Sequence, residues 1–143
     1  YGCLLTRFPI DIDVPDNVEN PQGMETVLKA LGAVPVDWSY KTDCCGASAS
    51  VNDADQSQLL MSRIFTDAVA RGANCIVATC PLCQFNLEKS QPSVAESDTG
   101  YTPVPVVYFT QALGLALGQD IETLGFEKNS SDIMPLLKKK GIA

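Results

Sequence analysis

The spacing of the cysteines constrains this chain more than any other feature of its sequence. Five of the six cysteines fall into three short groups: Cys3, then Cys44-Cys45 followed by Gly46, then Cys80-Pro81-Leu82-Cys83. Cysteines scattered through an apolar core would not be grouped in this way. Several thiolates that meet at one point are the ligands of an iron–sulfur cluster or of a thiophilic metal ion. The pattern therefore predicts a metal or cluster site.

The remaining composition excludes several classes of function. The net charge is −7, which would repel a phosphate backbone, so we expect no nucleic-acid partner. The chain contains no histidine, so a metal site must be rich in thiolates. No apolar run is long enough to predict a transmembrane segment, and no signal peptide is visible. We therefore expect one cytoplasmic globular domain over residues 1–143, with 118–143 as a helical tail.

Other uses of the cysteines stay open at this point. A secreted disulfide scaffold would need more than six cysteines in 143 residues, and a bridge within the adjacent pair would be strained. Six buried structural thiols form a second alternative. A thioredoxin-like redox motif at Cys80 and Cys83 is a third, although it would normally stand alone. A structural zinc site made by four of the five thiolates is a fourth.

The order of apolar and polar segments predicts alternating strands and helices. Two short apolar runs indicate parallel strands, at Cys75–Thr79 and Pro103–Tyr108, and a third strand is predicted at Val34–Trp38. Five helices are expected: from Asn20-Pro21 to Gly32, from Asn52 or Asp53 to Gly72, from Pro81 to about Lys89, over Thr110–Leu117, and from a Ser131 cap to Lys138-Lys139-Lys140. The buried stripe of the second helix is predicted to consist of Leu59, Leu60, Ile64, Phe65, Ala68 and Val69. Residues 90–102 are predicted to form a polar loop.

This alternation predicts an α/β fold, with three layers and a mostly parallel sheet covered by helices on both faces. Ligands of such sheets bind at the carboxyl ends of the strands. Cys44 and Cys80 each follow a predicted strand, and a strand is also expected before Cys3, outside the sequence. The cysteine groups are therefore predicted to converge at one edge of the sheet.

The cysteine pattern, together with Tyr1-Gly2-Cys3-Leu4-Leu5-Thr6-Arg7, resembles the cysteine-rich CCG domain. The resemblance covers roughly residues 1–112. It is strongest to the second, C-terminal copy of this domain in the B subunit of heterodisulfide reductases. It implies that the chain is a fragment whose upstream CCG half is absent.

In that family the five CCG cysteines hold a noncubane [4Fe-4S] cluster. The resemblance therefore implies five cluster ligands here: Cys3, Cys44, Cys45, Cys80 and Cys83. Cys44, Cys45 and Cys80 would then act in catalysis through the bound cluster. Zinc, or empty and oxidised thiols in aerobic material, is the alternative content of the site. Cys75 lies outside the pattern, and we expect it to be a small buried apolar residue.

The implied activity is reductive cleavage of a small-molecule disulfide, such as CoM-S-S-CoB, between two clusters. The implied partners are the upstream CCG domain and electron-donating iron–sulfur and flavin subunits. An electron-transfer module of a succinate-, glycolate- or lactate-type oxidoreductase is the alternative. Arg7, Lys41 and Gln84 lie beside the cysteines and could contact an anionic substrate, but we favour solvated loop positions for all three.

Overall fold

The computed structural model describes residues 1–7, 16–97 and 101–142. The helices are α1 (Cys3–Thr6), α2 (Gly23–Ala30), α3 (Ala54–Ala70), α4 (Pro81–Ser97), α5 (Phe109–Ala116) and α6 (Met134–Lys139). The strands are β1 (Ile76–Ala78) and β2 (Val106–Tyr108), and two short 3-10 helices lie at Ile121–Leu124 and Phe126–Lys128. Within this described part, no helix is both long and apolar enough to cross a membrane.

A single β–α–β unit forms the centre of the fold. β1 and β2 pair in parallel, with Ile76 opposite Val106, and α4 makes the connection between them. Successive side chains of a strand point to opposite faces of the sheet. One face contributes Ile76, Ala78 and Val106 to a core with α3 and α4, and the other packs Val77 and Val107 against the C-terminal segments.

This arrangement confirms the predicted α/β class. The two apolar runs of the sequence contain β1 and β2, each shorter than the run that predicts it. The sheet is much smaller than predicted, since it has two strands among the described residues. The full three-layer arrangement stays a prediction.

α3 begins where the sequence predicts, because the Asp53 carboxylate accepts the backbone N–H of Gln56 at 2.9 Å. Its buried stripe is only partly the predicted one. Leu59 is 46% exposed, so its assignment to the core is wrong. The prediction is confirmed for Ile64, Phe65 and Ala68, which are buried. Ser57 and Met61, which were not predicted, complete the buried side of the helix.

α4 continues two turns beyond its predicted end near Lys89, so the polar loop expected over 90–102 is wrong for residues 90–97. Pro92 lies inside the helix but on its exposed side. The buried side stabilises the extension, since Val94 there is fully buried.

The Gln91 side chain fixes the extended part of α4 to the segment before β2. Its Nε2 donates to the Val104 carbonyl at 2.8 Å. Its Oε1 accepts the Tyr101 hydroxyl at 2.6 Å and the Val104 N–H at 2.9 Å. These partners lie ten and thirteen residues away, so the helical pattern of the sequence does not reveal them.

The predicted start of α2 at Asn20-Pro21 is wrong. The helix begins after Gln22, because the Asp16 carboxylate accepts the N–H groups of Gln22 and Gly23. These are backbone donors at the start of a helix, which have no partner within the helix itself.

The predicted Ser131 cap of α6 is also wrong, since the helix begins at Met134. The Ser131 hydroxyl instead donates to the buried Glu88 carboxylate of α4 at 2.6 Å. The predicted lysines in the last turn of α6 are confirmed for Lys138 and Lys139.

The predicted strand Val34–Trp38 does not form. Among the described residues, no backbone hydrogen bond involves this segment, and Val34 is 88% exposed. A strand needs a neighbour that pairs with its backbone, and the described part of the chain places none beside this segment.

The Gln91 contacts generate a stability prediction. Replacing Gln91→Leu leaves the Val104 N–H and the Tyr101 hydroxyl without partners in the core, which we expect to cost about 2–3 kcal/mol of unfolding free energy. Urea unfolding followed by circular dichroism measures the change. Glu96→Gln, at an exposed position of the same helix, is the control and should stay within about 0.5 kcal/mol of the parent. Equal stability of the two variants would contradict the assignment.

Candidate metal centre

Three of the five pattern cysteines are buried together at the carboxyl end of β1. Cys80 follows the strand closely, and Cys83 lies in the first turn of α4. Cys45 comes from the loop that carries the CCG motif, and its Sγ lies 3.3 Å from the Cys83 Sγ. All three residues are at most 9% exposed. The sheet edge predicted from the sequence is therefore where these thiols meet.

The pKa values of the hydrogen-bonded pair Cys45 and Cys83 shift in opposite directions. The hydrogen bond from Cys83 lowers the pKa of Cys45 to about 6, against the opposing effect of burial, and the Ala47 N–H and the Asn86 amide also favour its thiolate. The pKa of Cys83 is raised by the same hydrogen bond and by burial. A lowered pKa favours metal binding at Cys45, because the thiolate is the form of cysteine that binds a metal ion.

Cys44 and Cys3 lie at the border of this group. The Cys44 Sγ accepts the Gly46 N–H at 3.4 Å, and its side chain is partly exposed. Cys3 is exposed at the start of α1, but the preceding residue, Gly2, lies close to the buried thiols. A Cβ added to Gly2 would lie 3.2 Å from both the Cys83 Sγ and the Cys80 Cβ. Gly2, at φ 74°, therefore lets this loop approach the buried thiols closely.

The five cysteines do not form a closed coordination shell. Across the described ranges 1–7, 16–97 and 101–142, no three Cys, Asp or Glu side chains are placed to hold one metal ion. Cys45, Cys80 and Cys83 are gathered, while Cys44 and Cys3 flank them. The donor chemistry, all sulfur with one thiol poised to ionise, fits a thiophilic cluster.

Cys75 is placed apart from this group, as the sequence indicates. It packs in the core on the opposite face of the sheet, against the C-terminal segments, and burial raises its pKa to about 11. A thiol that stays protonated at neutral pH is a poor metal ligand. The residue is half-buried rather than fully buried, and its surroundings are the apolar ones expected.

Of the three polar residues beside the cysteines, Arg7 lies where expected, exposed and 3.4 Å from Glu19. Lys41 is not a solvated loop residue, since its Nζ lies 3.3 Å from the Glu25 carboxylate and both side chains are largely buried. Gln84 lies in α4 rather than in a loop, and it lines a cleft of about 400 Å³ next to Pro81. That cleft offers space for a polar ligand beside the first turn of α4.

Two residues that support the site were missed by sequence reasoning. Asn86 is buried one turn beyond Cys83 in α4, and its Nδ2 donates to the Cys45 carbonyl at 2.7 Å. The Ser57 hydroxyl of α3 donates to the Gly46 carbonyl at 3.1 Å. Both fix the CCG loop to a helix. A signal for Asn86 was present, since residues three apart in a helix are neighbours and Cys83 was predicted to face the site.

Comparisons with known proteins find related sequences. The model of a cysteine-rich domain family, CCG, matches residues 1–88. The chain is 34% identical over 142 residues to the B subunit of the ferredoxin:CoB-CoM heterodisulfide reductase of Methanosarcina mazei, covering 97% of this chain and 47% of that protein. It is also 34% identical over 136 residues to the 8-methylmenaquinol:fumarate reductase membrane anchor subunit of Wolinella succinogenes, covering 95% of this chain and 48% of that protein. The chain thus spans about half the length of these relatives.

The close approach at Gly46 generates a second prediction. An alanine Cβ there would lie 3.0 Å from the Ser57 Cα at φ 75°, whereas Gly72, at φ 83°, has no atom within 4 Å of the same position. Both Gly46→Ala and Gly72→Ala carry the backbone strain, but only the first also forces the CCG loop off α3. We expect Gly46→Ala to be less stable than Gly72→Ala by about 1–3 kcal/mol, measured by urea unfolding. Equal losses would show that the loop is not packed there.

Proposed function

Because this chain belongs to the cysteine-rich CCG domain family, we propose that it is the iron–sulfur domain of an oxidoreductase of the heterodisulfide reductase type. The single observation that carries the proposal is the meeting of Cys45, Cys80 and Cys83 at the carboxyl end of β1, with Cys44 and Cys3 at its border. These five cysteines are the proposed cluster ligands. Five thiolates exceed the four that a cubane cluster or a tetrahedral zinc ion takes. The proposed group is the noncubane [4Fe-4S] cluster that the resemblance to the heterodisulfide reductase family implies.

The chain contributes thiolates and the geometry of their approach. Cys83 lies in the first turn of α4, and its thiol hydrogen-bonds the sulfur of Cys45, whose pKa is lowered by that contact. Asn86 and Ser57 hold the CCG loop against two different helices, which keeps Cys45 beside Cys83. Gly2 brings the Cys3 loop close to the same thiol. When bound, the cluster would supply electrons for cleavage of a disulfide.

The proposed substrate is a thiol heterodisulfide such as CoM-S-S-CoB, in keeping with the name of the Methanosarcina relative. The two sulfur atoms would take two electrons and two protons and leave as two thiols. A second CCG domain of the same subunit and electron-donating iron–sulfur or flavin subunits are the proposed partners. The cleft beside Gln84, which Pro81 of the Cys80–Cys83 motif also lines, is the proposed approach to the cluster. The cytoplasmic location stays a prediction.

The second candidate is an electron-transfer domain in another oxidoreductase. Its supporting observation is the equal identity to the fumarate reductase subunit of Wolinella succinogenes. The remaining sequence of the protein distinguishes the two functions. A second CCG copy alone supports the disulfide reductase, whereas a ferredoxin-type domain with repeated CxxCxxC motifs supports electron transfer.

Metal analysis of anaerobically purified and reconstituted protein tests the cluster. We expect about four irons and four acid-labile sulfides per chain. Cys45→Ser should lose both together, because it removes a proposed ligand. Cys75→Ser is the matched control and should keep both, since Cys75 lies in the opposite core. Stoichiometric zinc without sulfide after reconstitution would instead establish the structural zinc site.

A separate experiment tests whether one such domain is sufficient for turnover. We expect the cluster-loaded 143-residue chain to reduce a disulfide substrate at least about 100-fold more slowly than the full-length subunit, since a positioned second centre contributes by proximity. The rates are measured anaerobically with an artificial one-electron donor. Equal rates for the two proteins would contradict the proposal that this domain forms half of a catalytic site.

A further inference from the structure

Three residues outside the cysteine pattern form a largely buried network beside the metal centre. Glu25 lies in the first turn of α2, and its carboxylate is 3.3 Å from the Lys41 Nζ. The side chains of Lys41 and Glu25 are only 10% and 13% exposed. The Tyr1 hydroxyl donates to the same carboxylate. One carboxylate therefore binds a side chain from each of two separate loops.

Both of these loops carry cysteines of the pattern. Tyr1 lies two residues before the first cysteine, in the Cys3 loop (residues 1–7), and Lys41 lies three residues before the CCG motif, in the CCG loop. The two loops also touch directly, since the backbone nitrogen of Tyr1 donates to the Lys41 carbonyl at 2.7 Å. The Tyr1 carbonyl accepts the hydroxyl of Thr79, which directly precedes the third cysteine group, at 3.1 Å. All three cysteine segments therefore meet at Tyr1.

The start of α2 provides further partners for the same two side chains. The Met24 N–H donates to the Tyr1 hydroxyl at 2.8 Å, and the Lys41 Nζ donates to the Pro21 carbonyl at 2.8 Å. Hydrogen bonds to a charged group are stronger than those between neutral groups. Loss of one member of a buried ion pair is also unfavourable, because the other charge stays buried. Both loops are therefore fixed to one turn of α2 through Glu25.

The loops that Glu25 binds also cover the buried thiols. A Cβ added to Gly2 would lie 3.2 Å from the Cys83 Sγ, so the backbone next to Tyr1 lies against that thiol. The Cys45 Sγ, in the other loop, is 3.3 Å from the same sulfur. Movement of either loop away from α2 would expose Cys83.

We propose that Glu25 is a positioning residue of the metal centre, because it holds the Cys3 loop and the CCG loop in a fixed position relative to each other. A group that needs ligands from both loops would then be released more slowly while the carboxylate is present. This consequence for a bound cluster rests on the proposed function. The coupling of the two loops does not, since it depends on contacts within the chain.

Thiol alkylation of the metal-free, reduced chain tests the coupling. The initial rate at each cysteine is measured by mass spectrometry. We expect Glu25→Ala to raise the rates at Cys45 and Cys83 at least about fivefold, because local opening of the loops exposes buried thiols. Cys75, in the opposite core, is the internal reference and should keep its rate. Glu19→Ala is the matched control, since it removes a carboxylate that contacts residues 1–7 only through an exposed ion pair, and it should change no rate.

Tyr1→Phe is a second variant, which keeps the buried ion pair and removes only one hydroxyl. Its effect should be largest at Cys83, which lies against the Cys3 loop. If Glu25→Ala opens the whole domain, the rates of Tyr1→Phe decide the result. Unchanged rates at Cys45 and Cys83 in both variants, or an equal rise at Cys75 in both, would overturn the proposal.

Cluster retention provides a separate measurement on the reconstituted chain. We expect a chelator to remove iron at least about tenfold faster from Glu25→Ala than from Glu19→Ala, as is typical when a residue that orients metal ligands is lost. Equal rates of iron release would overturn the positioning role. A parent chain that takes up no iron and sulfide would instead contradict the proposed function, and the alkylation rates would still decide whether Glu25 couples the loops.

Discussion

The buried side chains of α4 are the constraint on which the rest of the structure depends. Four of them, two or three positions apart in sequence, fix three other parts of the chain. Cys83 meets Cys45, and Asn86 holds the backbone of the CCG loop. Glu88 accepts a hydroxyl from the C-terminal segment, and Gln91 bonds the residues ahead of β2. One helix thus orders the metal centre, the strand that follows it and the C-terminal packing.

The polar groups of α4 stabilise the fold because they are paired. A buried amide or carboxylate without a partner would cost free energy rather than supply it. Within the described ranges, no buried side-chain nitrogen or oxygen lacks a hydrogen-bond partner. The same hydrogen bonds fix the position of α4 relative to its neighbours. An entirely apolar helix could shift along them, whereas Asn86 and Gln91 keep their hydrogen bonds in one position only. The hydrogen bond from Asn86 of α4 therefore helps to position the CCG loop.

The cysteine loops are held by contacts that a sequence does not display. Gly2 and Gly46 both lie at positive φ and both approach other groups closely, Gly2 the thiol of Cys83 and Gly46 the backbone of Ser57. These contacts bring the cysteine loops close to the buried thiols and to α3. The edge of β1 that faces away from β2 has no paired strand among the described residues. There the peptide of Val77 and the segment 33–38 border an apolar groove rather than a neighbouring strand.

The sequence by itself determined the α/β class, the place of β1 and β2, the start of α3 at Asn52 or Asp53 and the grouping of Cys80 with the CCG motif. These features depend on local chemistry: short apolar runs, a capping carboxylate and thiols that follow a strand. Only the tertiary structure decided the length of α4, the contacts of Ser131 and Lys41, and the absence of a strand at Val34–Trp38. Each depends on whether a distant partner is present, as Glu25 is for Lys41. Local propensity cannot reveal such a partner, because strands and buried polar side chains are stable only when paired.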